Sequence, residues 1–174
     1  MSAKTKKKRV GFDLDGVIIG KPFFVPEFVM EKLVRKKGRR LAYRYPESKT
    51  ERAIRKISHI PVFRPPIKKN VSVIRKLHKS RRYQLFVVSS RYSFLEQRTE
   101  QWFKYHKLKM FFKDIYINLA DEQPHLYKEK MVKTLKLDIF IDDDLRLLKY
   151  LRRKIKNVDF LYVKDYKKNN NMPK

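Results

Sequence analysis

Three polar clusters, each following a short apolar run, hold the residue types that can do chemistry. Asp13-Leu14-Asp15-Gly16-Val17 closes the run that starts at residue 9, Ser89-Ser90-Arg91 closes the run at 84–88, and Asp142-Asp143-Asp144 closes the run at 138–142. In an open parallel sheet, ligands bind beyond the carboxyl ends of the strands. If these runs are neighbouring strands, their tips gather carboxylates with hydroxyls beside them. Carboxylates crowded in a cleft repel, so either some protonate or a cation neutralises them. An all-oxygen donor set favours a hard ion such as Mg²⁺, which keeps waters and binds a substrate phosphate. The plainer account is that each Asp caps the helix after its strand. It is the better account for Asp144 alone and a poor one for all three clusters together.

The elements that must position these residues are legible from periodicity. Residues 9–14, 84–88, 114–118, 138–142 and 158–163 read as strands. Helices are expected over 67–80, with Val71, Ile74 and Leu77 on one face, and then from about 94, over 125–136 and over 144–155. Ser93 and Glu96 have capping-box spacing. Strands alternating with amphipathic helices imply a parallel sheet covered on both faces. Residues 20–66 break that alternation and read as an insertion. Within it a helix is expected over 27–37, stopped by Gly38, and a second from Ser48 or Lys49 to about Ile57. Residues 16–24 read as a turn and flexible flap. Pro61, Pro65 and Pro66 make 58–66 a linker back to the main body. The division expected is therefore a basic N-terminus at 1–8, a core at 9–19 and 67–164, the insertion at 20–66, and a mobile tail at 165–174.

An apolar strand ending in DxDGV resembles the first motif of the haloacid dehalogenase superfamily. The strand ending in Ser89 resembles its second motif, Lys128 its third, and Ile141-Asp142-Asp143-Asp144 its fourth, all in family order. The resemblance implies an α/β Rossmannoid fold. Its three α/β/α layers would hold a mostly parallel five-stranded sheet, with a small helical cap insertion. It also implies a Mg²⁺-dependent phosphomonoester hydrolase working through an aspartyl-phosphate. Asp13 would attack phosphorus, and Asp15 would protonate the leaving oxygen and then activate water. Ser89 would hydrogen-bond a phosphoryl oxygen, and Lys128 would offset negative charge. Asp13, the main-chain carbonyl of Asp15, Asp143 and Asp142 would hold the metal. Gly16, Ser90 and Arg91 would line the substrate. Lys130 and Lys133 compete with Lys128 and Ser90 with Ser89, and three successive aspartates leave the metal ligand open by one position.

Other chemistries lack their residues. The chain has no Cys, which removes thiolate catalysis and zinc–thiolate sites. Its glycines, at 11, 16, 20 and 38, form neither GxGxxG nor a Walker A loop. His59, His78, His106 and His125 show no metal-ligand spacing, and no glycine-rich nucleophile elbow surrounds Ser89 or Ser90. No apolar run is long enough to span a bilayer, and Asp13 and Asp15 interrupt the segment where a signal peptide would need one. A cytoplasmic protein without a membrane partner is expected.

The formal charge is +27, from 45 Lys and Arg against 18 Asp and Glu, a field that attracts polyanions. Residues 21–82 hold 20 of the basic residues against only Glu27, Glu31, Glu47 and Glu51. The densest run is Arg35, Lys36, Lys37, Arg39 and Arg40, with Tyr43 and Tyr45 nearby, a mixture suited to phosphate contacts and base stacking. The competing account is a solvated helix face. A second basic run, from Arg146 to Lys156, is better explained as the solvated side of a helix packed through Leu148, Leu151 and Ile155. The substrate expected is a nucleotide, a nucleic-acid end or another small phosphoester. The alternative is a nucleic-acid-binding protein with little catalysis.

Overall fold

The computed structural model describes residues 6–20, 22 and 41–163. The helix expected over 27–37, the run Arg35, Lys36, Lys37, Arg39 and Arg40, and the tail from 165 lie outside them.

Five strands form one parallel sheet in the order β3-β2-β1-β4-β5. They are β1 (Lys8–Phe12), β2 (Tyr83–Tyr92), β3 (Asp114–Asn118), β4 (Ile139–Asp142) and β5 (Asp159–Tyr162). β1 is central because both of its edges pair: Val10 aligns with Leu85 on one side and Ile139 on the other. The helices are α1 (Lys49–Ser58), α2 (Lys68–Lys79), α3 (Glu96–His106), α4 (Pro124–Thr134) and α5 (Leu145–Lys154).

Side-chain alternation along β2 divides the core into two layers. Leu85 and Val87 join Val71 and Ile74 of α2 and Trp102 and Phe103 of α3. Phe86 and Val88 join Val132 of α4, Phe140 of β4 and Leu147, Leu148 and Leu151 of α5. This is the expected three-layer arrangement. Each fully buried Leu or Phe contributes roughly 1.5–3 kcal/mol by leaving water.

Three local expectations change. β2 runs on through Tyr92 instead of stopping at Val88, because a bulge between Ser89 and Tyr92 lets Tyr92 still pair with Asn118. The Ser93–Glu96 capping box does not form. Ser93 donates its backbone N–H (2.7 Å) and its hydroxyl (2.9 Å) to Asp121, and Leu95 precedes α3 without a side-chain cap. Finally, residues 16–20 form the expected turn but pack against the body, while residues 21, 23 and 24 of the expected flap lie outside the described residues. Val17, Ile18 and Ile19 are buried, Ile18 and Ile19 both donate to the Leu14 carbonyl, and Gly20 donates to that of Pro65 at 2.8 Å. Three apolar side chains in a row find room in the core here, and that anchors the backbone.

Of the insertion, α1 is capped by Ser48, whose hydroxyl accepts from the Glu51 N–H at 3.0 Å. The return limb, residues 59–67, is packed against the body. Ile67 donates to the Ile18 carbonyl at 2.8 Å, and the Trp102 indole donates to the Arg64 carbonyl at 2.6 Å. No helix among the described residues is long and apolar enough to cross a membrane.

Candidate active site

β1 and β4 deliver the acidic residues together. The Asp13 N–H donates to the Ile141 carbonyl at 2.8 Å, extending the pairing of the two strands to their tips. Carboxylate oxygens of Asp13, Asp142 and Asp143 lie within 4.8 Å of one another. Between them stands Lys128, buried on α4, with Nζ 3.0 Å from Asp13 Oδ1 and 2.6 Å from Asp142 Oδ2. Lys130 and Lys133 point away and pair with Glu122 and Glu129. Of the three competing lysines, Lys128 is the one placed against Asp13 and Asp142.

The three successive aspartates have different tasks. Asp142 is fully buried; Oδ2 takes Lys128 and Oδ1 accepts the Asp144 N–H at 2.9 Å. Asp143 lies against Gly16, which adopts φ +77° and where a Cβ would come within 1.9 Å of Asp143 Oδ2. A side chain at 16 is thus blocked twice, by backbone conformation and by space. Asp144 caps α5, accepting from the Arg146 and Leu147 N–H groups, and also accepts the Tyr43 hydroxyl at 2.7 Å. The capping account holds for Asp144 and fails for its two neighbours. Ser89 is buried within β2 just before its bulge, its Oγ accepting the Arg91 N–H at 3.3 Å, while Ser90 is half-buried.

Burial dominates the electrostatics. It pushes the Asp13 carboxyl well above the ordinary carboxylate range, with Lys128 opposing and Asp142 and Asp143 reinforcing. Asp143 is pushed up to about 7, by burial first and Asp142 second. Burial raises Asp142 too, against the pull of Lys128. Lys128 is raised, because Asp13 and Asp142 outweigh the burial that would lower it. These acids are held where a carboxylate is uncomfortable without more positive charge.

Asp15 has a different environment. Arg91 grips it in fork geometry, Nε to Oδ2 and Nη2 to Oδ1, both at 2.7 Å. Arg64 places Nη2 on Oδ1 as well. Burial would raise this carboxyl, but the two guanidiniums, Arg91 first, hold it far below its usual range. Arg91 was expected to line the substrate. Instead its guanidinium is spent on Asp15 and, through Nη1, on Thr99 at 3.0 Å. The Asp15 carboxylate lies outside the three-acid cluster. Arg64 went unnoticed in the sequence: it sits 49 residues from its partner, with no local pattern linking them. Tyr43 was equally silent as a partner of Asp144.

Along α5, a groove of about 430 Å³ is lined by Leu41, Arg146, Lys149, Tyr150, Arg152 and Arg153. The Arg146 N–H at one end of α5 donates to Asp144 at 3.0 Å, and among the described residues the groove is lined by no acid.

No protein-family model matches the chain, and no curated protein matches it by sequence. Solved structures do. A haloacid dehalogenase-like hydrolase of Streptococcus pneumoniae aligns with a TM-score of 0.53 at 14% identity, over 90% of this chain and 84% of its own. A haloacid dehalogenase family enzyme of Bacteroides thetaiotaomicron, in complex with magnesium and inorganic phosphate, aligns at 0.55 and 13% identity, over 92% and 97%. A chain of the Pnkp1/Rnl/Hen1 RNA repair complex aligns at 0.58 and 13% identity, over 94% of this chain and 44% of its own. This chain thus spans less than half the length of that repair protein. At these identities the likeness is one of fold: the chain has the haloacid dehalogenase-like fold.

Proposed function

We propose that the chain is a Mg²⁺-dependent phosphomonoester hydrolase with Asp13 as nucleophile. The observation that carries this reading is the cluster of Asp13, Asp142 and Asp143 around Lys128 at the tips of adjacent parallel strands. The residues fit the ion. Asp13, Asp15, Asp142, Asp143 and Asp144 face Lys128, Arg64 and Arg91, and full ionisation leaves two negative charges, which one divalent cation balances. The neighbour of the same fold solved with magnesium and phosphate supports that choice. Bound Mg²⁺ would neutralise the phosphate and allow a carboxylate to approach it.

Each residue then has a task its position suits. Lys128 holds Asp13 Oδ1 and fixes the carboxylate, so that its other oxygen attacks phosphorus and the ester oxygen departs. Asp15, whose side chain is 37% exposed, would give a proton to the leaving oxygen and then take one from the attacking water, against the pull of Arg91 and Arg64 toward its ionised form. Ser89 would donate to a phosphoryl oxygen, and Asp143 would hold the metal. The test is phosphate release from a chromogenic phosphate ester with and without Mg²⁺. Equal inertness of wild type and Asp13→Asn across a broad phosphoester panel sinks the reading.

The basic groove favours a nucleic-acid end as substrate over a small metabolite. Arg146, Lys149 and Arg153 recur about one helical turn apart along α5, the helix that Asp144 caps. The structural likeness to a chain of an RNA repair complex points the same way. An oligonucleotide should bind with affinity that falls steeply with salt, and Lys149→Glu with Arg153→Glu should flatten that slope. Binding that ignores salt would remove this substrate class.

A further inference from the structure

We propose that the groove along α5 takes single-stranded nucleic acid, with one base stacked on the ring of Tyr150. The inference rests on the nucleic-acid reading of that groove and narrows it to one form of the polymer. Arg146, Lys149, Tyr150 and Arg153 follow one another at i, i+3, i+4 and i+7, the spacing of a single helical face. Leu147, Leu148 and Leu151 occupy the other, buried side. The ring therefore stands inside a row of cations about 10 Å long. α5 itself carries no acid. Lys149 and Arg153 are like charges four residues apart, an arrangement that costs helix stability. A face made only for solvation would intersperse the two signs. A bound polyanion would relieve the repulsion.

Carboxylates around the groove are engaged elsewhere. Asp144 accepts the Arg146 and Leu147 N–H groups and the Tyr43 hydroxyl. Glu129 of α4 takes Lys133 on one oxygen and the Tyr150 hydroxyl on the other, both at 2.6 Å. The second of these bonds also fixes the ring. On the same helix His125 meets Tyr150 edge to face, with centroids 5.1 Å apart, and is itself stacked on Tyr43 at 6.3 Å. A ring already held in place loses little freedom when a base lands on it. Tyr150 is only half-buried and keeps part of its surface in the groove. Phosphates on the cations would give affinity for any nucleic acid, but a ring among them serves only a base whose face is free. In a duplex each base face is covered by its neighbours. The groove should therefore use cations and ring on a single strand, and cations alone on a duplex.

The experiment is fluorescence anisotropy with an unphosphorylated RNA oligonucleotide of mixed sequence, alone and annealed to its complement, so that no turnover enters. Wild type should prefer the single strand, and the preference should widen with salt, because phosphate contacts weaken more steeply on a duplex. Tyr150→Leu should weaken single-strand binding by roughly 5- to 100-fold, the range for losing one base–ring stack, and duplex binding by less than about twofold. Tyr150→Phe keeps the ring and should keep most of the preference. A 2-aminopurine placed in the strand should be quenched on binding to wild type and to Tyr150→Phe, and not to Tyr150→Leu. Circular dichroism establishes that the variants fold; if Tyr150→Leu does not, the wild-type preference and the quenching decide. Equal wild-type affinity for the two forms, or equal losses on both in a folded Tyr150→Leu, overturns the proposal while leaving the nucleic-acid reading intact. Binding of neither form overturns both, and the hydrolase reading is judged separately by phosphate release.

Discussion

Replacing Lys128 with Met separates a buried cation from the acids around it without opening a large cavity. In the wild type, Nζ is 3.0 Å from Asp13 and 2.6 Å from Asp142, with all three side chains nearly or fully buried. With an effective dielectric constant near 20, each contact corresponds to roughly 5–6 kcal/mol of gross Coulomb attraction. Much of that is cancelled by the cost of burying the ammonium. The net cost of removing one member of a buried charge group is about 3–5 kcal/mol. The orphaned acids reduce that cost by taking up protons, so the deficit should widen with pH. Urea denaturation with a chelator present, at about pH 5 and about pH 8, measures it. Lys128→Met should be less stable at both, by more at the higher value, and Mg²⁺ should recover part of the difference. A variant as stable as wild type at about pH 8 without metal would refute the idea that Lys128 neutralises this cluster. So would a deficit that shrinks with rising pH.

Other perturbations test other parts. Asp13→Asn should abolish turnover, at least ~1,000-fold by phosphate release, while raising metal-free stability, because it removes one buried acid that resists ionisation. The raised Asp143 carboxyl binds its proton more tightly in the folded than in the unfolded chain. Its contribution is complete below the ordinary carboxylate range and is lost as pH rises through about 7. The metal-free melting temperature should therefore fall between about pH 4 and pH 8, and the Mg²⁺-induced increase should be larger at the upper end; a flat profile without metal contradicts it. Gly16→Ala should weaken Mg²⁺ binding, read by calorimetry, because a Cβ there collides with Asp143. Phe140→Ala should destabilise by about 3–5 kcal/mol in urea, since the ring is fully buried between α4 and α5.

The sheet and the acidic tips were legible because each rests on short-range pattern. Val10 and Phe12 before Asp13, or Phe140 before Asp142, announce a buried strand by composition, and the following acids announce its end. The parallel order placed their tips on one edge by topology alone. What the sequence hid was long-range. The Arg64–Asp15 and Tyr43–Asp144 contacts join residues with no shared periodicity, and both come from the insertion, where alternation fails. The Ser93 capping box was misjudged for a related reason. Its spacing was right, but Asp121, 28 residues on, offers two acceptors at once and wins the competition for Ser93. Arg91 follows the same logic: next to a serine at a strand tip it resembles a substrate contact, until the bulge in β2 turns it onto Asp15.

The described part of the insertion is tied down at both ends. Ahead of α1, the Tyr43 hydroxyl bonds Asp144, the Tyr43 N–H bonds Gln123 at 3.1 Å, and the Tyr45 hydroxyl bonds Asp121 at 3.0 Å. Behind α1, Pro65 and Ile67 join the turn after β1. A helix with two moorings behaves as a span and not as a door. Swinging it aside would mean breaking phenol–carboxylate bonds on one bank or backbone bonds on the other. Turnover at this centre should therefore not wait on any swing of α1, and crosslinking that helix to α3 should leave the rate of product escape unchanged.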